Sequence, residues 1–156
     1  MNQLFLILHS WLRWAILIAA VWTVVRALKG IGKKSAYTSA DNKSNLFFMI
    51  FMDLQFLVGI LLYFTDALGF KAVRSMGMSN VMQNESTRFF AVEHVVMMIL
   101  AWIIVHIGRS VVKKAPTDIQ KHRKSLVYFG IALLLILLAI PWPFRTGLGF
   151  HPWFRF

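Results

Sequence analysis

Apolar residues gather in four long runs, at about 4–27, 45–65, 89–112 and 125–142, the last inside a helix expected over about 118–142, with short polar connectors between them. Each run reaches the roughly 20 residues that a helix rising about 1.5 Å per residue needs to cross about 30 Å of hydrocarbon. In lipid, backbone polar groups have to bond within their own segment, so the runs predict helices. The expected fold is all-α: one membrane domain over 1–156, a bundle of four transmembrane helices.

The connectors refine this picture. Residues 28–44 are short, basic and glycine-containing. Residues 66–88 interleave Met76, Met78 and Met82 with polar groups, a pattern that predicts a short amphipathic helix on the surface. Residues 113–124 form a tight basic turn, in which Thr117 or Asp118 can cap the fourth helix before its lipid-crossing part begins near Ser125. After Ile140, Pro141 and Pro143 break the last helix, and Trp142, Trp153 and the tail phenylalanines suit an interfacial anchor. His151 reads as a surface residue of that tail. The first basic residue, Arg13, lies inside the first run, so residues 1–28 predict a span and not a cleavable signal peptide.

Composition agrees with the pattern. The 156 residues are 58% hydrophobic, too much apolar surface for a soluble domain of this length to hide. The net charge of +11 gathers beside the runs, which fits anionic headgroups and topology signals and not a nucleic-acid partner. The first and third connectors with their flanks carry eleven basic residues, from Arg26 to Lys43 and from Arg109 to Lys124. The opposite side carries Lys71, Arg74, Arg88, Arg145 and Arg155. The positive-inside rule therefore predicts both termini outside, which in a bacterial inner membrane is the periplasmic side. The absence of cysteine excludes disulfides, thiolate-held iron–sulfur clusters and covalent c-type haem.

Counted at about 1.5 Å per residue, His9 lies roughly 8 Å below the outer end of the first helix, and His94 lies at a similar depth in the third. Two histidines at one level of a four-helix bundle can ligate a haem iron from both axial faces. The plainer alternative is two interfacial histidines bonded to backbone or lipid. Arg13 is one turn below His9 on the same face, and Asp53 rises in the second helix to a comparable depth, so an Arg13–Asp53 pair is expected. That pair would fix register, or serve a proton or a propionate beside a cofactor. Glu93 is expected to meet Arg88 or Arg145. His106 and His122 form a possible second haem pair nearer the inner face. Against it, the spacing from His94 to His106 turns about 120° around the helix. Met97 and Met98 beside His94 can line a pocket, or simply pack.

At LHSWLRW, RFFAVEHVVMMIL, HIGRS and KHRK…YFGIALLLILLAIPWPFR the chain resembles small bacterial four-helix membrane proteins labelled cytochrome b. The resemblance covers most of the chain. It implies b-type haem held by helix histidines, first His9 and His94, then His106 and His122. The expectation is a cytochrome carrying one haem b, with its iron ligated axially by His9 and His94. It would exchange electrons between the quinone pool and another respiratory subunit or a periplasmic carrier. A haem-free accessory subunit of a larger respiratory complex is the alternative, and a small ion pathway along Arg13, Asp53 and Glu93 fits the unbroken runs least well.

Overall fold

A computed structural model describes residues 2–149 and 152–154. His151 and Arg155 lie outside the described residues. Helix α1 is Asn2–Lys33 and α2 is Ser39–Thr65. Three short helices follow, α3 (Phe70–Met76), α4 (Met78–Gln83) and α5 (Glu85–Arg88). A π-helical turn over Phe89–Glu93 joins α5 to α6 (His94–Lys113), and α7 is Asp118–Ala139. The described residues contain no strand. Four helical segments are long and apolar enough to cross a membrane, and the chain is a multi-pass membrane protein.

The helices overrun the apolar runs because their ends carry polar caps. Asp41 accepts from the Thr38 N–H (2.7 Å), the Thr38 hydroxyl (2.6 Å) and Arg26 Nε (2.7 Å), so α2 begins six residues before the hydrophobic run does at Asn45. Thr117 caps α7 by accepting from the Gln120 N–H at 3.4 Å. The single amphipathic helix expected in 66–88 is broken instead. Gly77, with φ +78°, turns the chain between α3 and α4, and the Asn84 side chain caps α5.

Helix α1 packs on α2 and α7, and α6 packs on α7; α2 and α6 meet along a thinner seam. Polar side chains share the interior with the apolar core: Ser44, Asn45, Ser125 and His122 lie inside, while Ile18, Leu134 and Leu138 are each more than 60% exposed. Large apolar side chains on the outside suit a hydrocarbon surround, where small and polar groups contribute to the helix contacts. Phe48 and Phe129 meet at 5.7 Å at the bundle centre among Ala19, Ala20, Ala101 and Ala132. The described tail lies at the end of the bundle where α1 begins, since Arg13 and Trp14 in the N-terminal half of α1 both donate to the Trp153 carbonyl.

The basic end is closed by a polar knot. Asn45 donates to the Tyr37 phenol (2.8 Å) and to Ser125 Oγ (3.2 Å), and His122 packs on Tyr37 and against Gly30. Burial holds the Tyr37 phenol above its ordinary pKa. The fold thus favours the neutral phenol, and its contribution is complete below about pH 10 and lost as pH rises past that value. Tyr37→Phe should flatten the fall in melting temperature of the detergent-solubilised protein above pH 10. A Cβ on Gly108 would stand 2.6 Å from Tyr128 Cβ, an atom fixed to the α7 backbone. Gly108→Ala should therefore destabilise the α6–α7 contact by about 1–3 kcal/mol, measured by thermal unfolding followed by circular dichroism.

Candidate functional site

The site starts from the way α7 ends. Residues 137 and 139 would pass their carbonyls to the amides of residues 141 and 143, but both are prolines and have no N–H. Side chains take over. Trp142 Nε1 donates to the Leu137 carbonyl at 2.8 Å, and His94 Nδ1 bonds the Ala139 carbonyl at 2.7 Å. A carbonyl only accepts, so the proton of His94 sits on Nδ1 and the Nε2 lone pair is left for another partner. His94 is also the first residue after the π-helical turn, a local widening that sets the rotation of its side chain relative to α5.

His9 comes to the same level on α1. The two imidazole rings are 6.1 Å apart between centroids and inclined at 61°. His9 Nδ1 is buried and has no hydrogen-bond partner among the described residues. Gln55 on α2 donates to the His9 carbonyl at 3.1 Å, and its own Oε1 is buried without a partner. Gly59, one turn further, leaves His9 room: a Cβ there would touch His9 Cε1 at 3.6 Å.

Around the two rings lies a cavity with two lobes. The first, about 270 Å³, reaches from His9 and His94 to Ser10, Arg13, Tyr63 and Asp66, under the returning tail at Pro152. The second, about 240 Å³, runs from the same histidines onto the α2–α6 seam between Phe56, Ile60, Ile99 and Trp102. Together the lobes approach the size of small-molecule sites, roughly 300–1,000 Å³. Arg13 donates to the Trp153 carbonyl and to Ser10 Oγ (3.5 Å), with its guanidinium 5.4 Å from the Trp14 ring. Trp153 and Phe154 pack on Trp14, so the tail straps the polar lobe.

The remaining expected residues fall as follows. Arg13 and Asp53 do not form the expected pair. Asp53 reaches the right depth, but it is next to Met52 and so turned about 100° from the Met52–Gln55–Gly59 face that meets α1. It points instead to α6, where Oδ1 accepts from Trp102 Nε1 (2.7 Å) and His106 Nε2 (2.8 Å). His106 and His122 do not come together either. His106 is held by Asp53 on the α2–α6 seam, while His122 faces Gly30 and Tyr37 at the basic end, with both ring nitrogens unpartnered among the described residues. The second haem pair is therefore not assembled. Glu93 pairs with Arg88 at 2.8 Å as expected, and Arg145 lies over the Phe89 ring at 4.5 Å. Met98 lines both lobes.

Sequence reasoning did not single out Gln55, Gly59, Tyr63 and Asp66. Gln55 carried a signal, as an uncharged polar residue inside a span with a glycine one turn on. Among the described residues no group of three or more His, Cys, Asp or Glu could hold a bare metal ion. Two imidazoles brought to one level from two helices are instead a donor set that suits a metal carrying its own equatorial ligands. At about 2.0 Å per metal–nitrogen bond, the ring centroids of such a pair stand about 6 Å apart. Comparison with protein-family models, curated proteins and solved structures finds no match to the chain.

Gln55→Met removes both the Nε2 bond to the His9 carbonyl and the buried, unpartnered Oε1, two effects of opposite sign, so it should change the stability of the ligand-free protein by less than about 1 kcal/mol in thermal unfolding.

Proposed function

We propose that this chain is a membrane b-type cytochrome in which His9 and His94 would hold a single haem b. One observation carries the reading: the His94 ring is locked through Nδ1 to Ala139, which leaves its Nε2 lone pair, with the His9 ring 6.1 Å away across a cavity. A backbone acceptor on the far nitrogen is the usual support of a metal-bound histidine, because it fixes tautomer and ring rotation together.

The other residues have definite tasks. Arg13 stands in the polar lobe near the tail, at the end suited to a haem's carboxylate groups. Leu62, Val95, Met98 and Ile136 line the rest with apolar surface and keep water from the iron position. Haem would supply one-electron exchange. The partner on one side is the quinone pool, which shares the hydrocarbon layer; on the other it is a periplasmic carrier or a respiratory subunit. The charge bias puts the basic end in the cytoplasm and this site near the periplasmic face of a bacterial inner membrane.

The purified protein, expressed with ample haem, should show a reduced-minus-oxidised change in the Soret and alpha bands. A colourless preparation would remove this reading and favour a haem-free accessory subunit. His9→Ala and His94→Ala should each abolish the low-spin spectrum, whereas His106→Gln should leave it intact. Gly59→Leu should fill the space beside His9 and block haem uptake while helical content, followed by circular dichroism, is retained.

A further inference from the structure

The α2–α6 seam holds a second constellation that axial ligation does not use. Trp102 Nε1 and His106 Nε2 both donate to one oxygen of Asp53, Oδ1. The other oxygen, Oδ2, receives no hydrogen bond from the described residues. The carboxylate is 39% exposed and the imidazole 37% exposed. Asp53 lies twelve residues from the end of α2 at Thr65, about 18 Å along the axis, and so at membrane depth. A carboxylate oxygen open to hydrocarbon with no donor is among the most unfavourable arrangements a span can carry. It calls for a donor from outside the chain.

The surroundings describe the donor. Trp102 stacks on Phe56 at 4.8 Å and 12°, and His106 leans on Trp102 at 4.6 Å, so the indole that donates to Asp53 belongs to an aromatic cluster whose Phe56 and Trp102 line the groove. From Trp102 the seam lobe runs toward His94 as an apolar groove past Phe56, Ile60 and Ile99. An open acceptor, an aromatic platform and an apolar channel at membrane depth match an aromatic diol on an alkyl chain.

We infer that the α2–α6 seam binds a lipid-soluble quinol, whose hydroxyl donates to Asp53 Oδ2 while its ring lies against Phe56 and Trp102. This inference deepens the proposed exchange with the quinone pool by giving the quinol a place, and its support is independent of haem. His106 and Trp102 are positioning residues: they hold Oδ1 so that Oδ2 is the oxygen presented.

The test uses the full chain in nanodiscs and two probes, a benzoquinol with a ten-carbon tail and its dimethyl ether, which has the same ring and tail but no O–H. Binding is measured by titration calorimetry. The quinol should bind at least about tenfold more tightly than the ether, and Asp53→Asn should remove most of that preference. Trp102→Phe should reduce it, and Ile60→Trp, which fills the groove without touching the polar groups, should weaken both probes. If Asp53→Asn does not fold, Trp102→Phe and Ile60→Trp decide. Equal affinity of the wild type for the two probes overturns the inference, as does a preference that survives Asp53→Asn or Trp102→Phe, or an Ile60→Trp variant that binds both probes as the wild type does. So does a wild-type dimer that Asp53→Asn dissociates, because the open oxygen would then be a subunit contact. A colourless protein that still discriminates the probes refutes the cytochrome and leaves this site standing. A haem-bearing protein that does not discriminate does the reverse.

Discussion

Pro143 removes one backbone donor from the end of α7, and the arrangement of the cavity depends on what replaces it. The Ala139 carbonyl, buried at the end of α7, is left without a helical partner. His94 satisfies it, and in doing so the imidazole gives up its freedom to rotate and to exchange tautomers. One bond thus closes the helix, ties α6 to α7 and sets the direction of the remaining nitrogen. The same device recurs two residues earlier, where Pro141 leaves the Leu137 carbonyl to the Trp142 indole. That indole in turn stacks on Phe144 and leans on Trp153, so the broken end of α7 also anchors the strap over Arg13.

The fold was legible because its signal is long-range and one-dimensional. Four apolar runs of spanning length leave few alternatives in hydrocarbon, and residue count converts directly into depth. Depth was accordingly the part of the site that sequence conveyed well: His9 with His94, and Asp53 at the level of Arg13. Rotation was not. A helix turns about 100° per residue, so an uncertainty of a single position in which face meets a neighbour moves a side chain to another seam. Asp53 illustrates this, having the depth to meet Arg13 and the azimuth to meet His106. The π-helical turn before His94 adds a residue to one turn and displaces the azimuth of everything on one side of it. The prolines held more information than their reading as breaks extracted, since the carbonyls they orphan can be counted from the sequence.

Charge and polarity divide the molecule by height. At the basic end most polar side chains bond one another, as Arg26 with Asp41 and Asn45 with Tyr37 and Ser125, and they pin the connectors; His122, packed on Tyr37 with both ring nitrogens unpartnered among the described residues, is the exception. At the other end polar groups are left facing a cavity: Gln55 Oε1 and His9 Nδ1 are buried without partners among the described residues. A satisfied network rigidifies, whereas an unsatisfied one in an enclosed space is a requirement for something else to enter. The thin α2–α6 seam lies between these two regimes and is where the cavity reaches the lipid face.

The bond between His94 and Ala139 also has a place in time. The helices leave the ribosome in order, and the acceptor that locks the ring lies 45 residues downstream of it, at the end of the last span. While the first three spans are inserted and the fourth is still being made, His94 can turn and change tautomer freely. The pair of imidazoles acquires its geometry only when the final helix has docked and its prolines have left a carbonyl exposed. Assembly of the site is thereby made conditional on synthesis and docking of the fourth span.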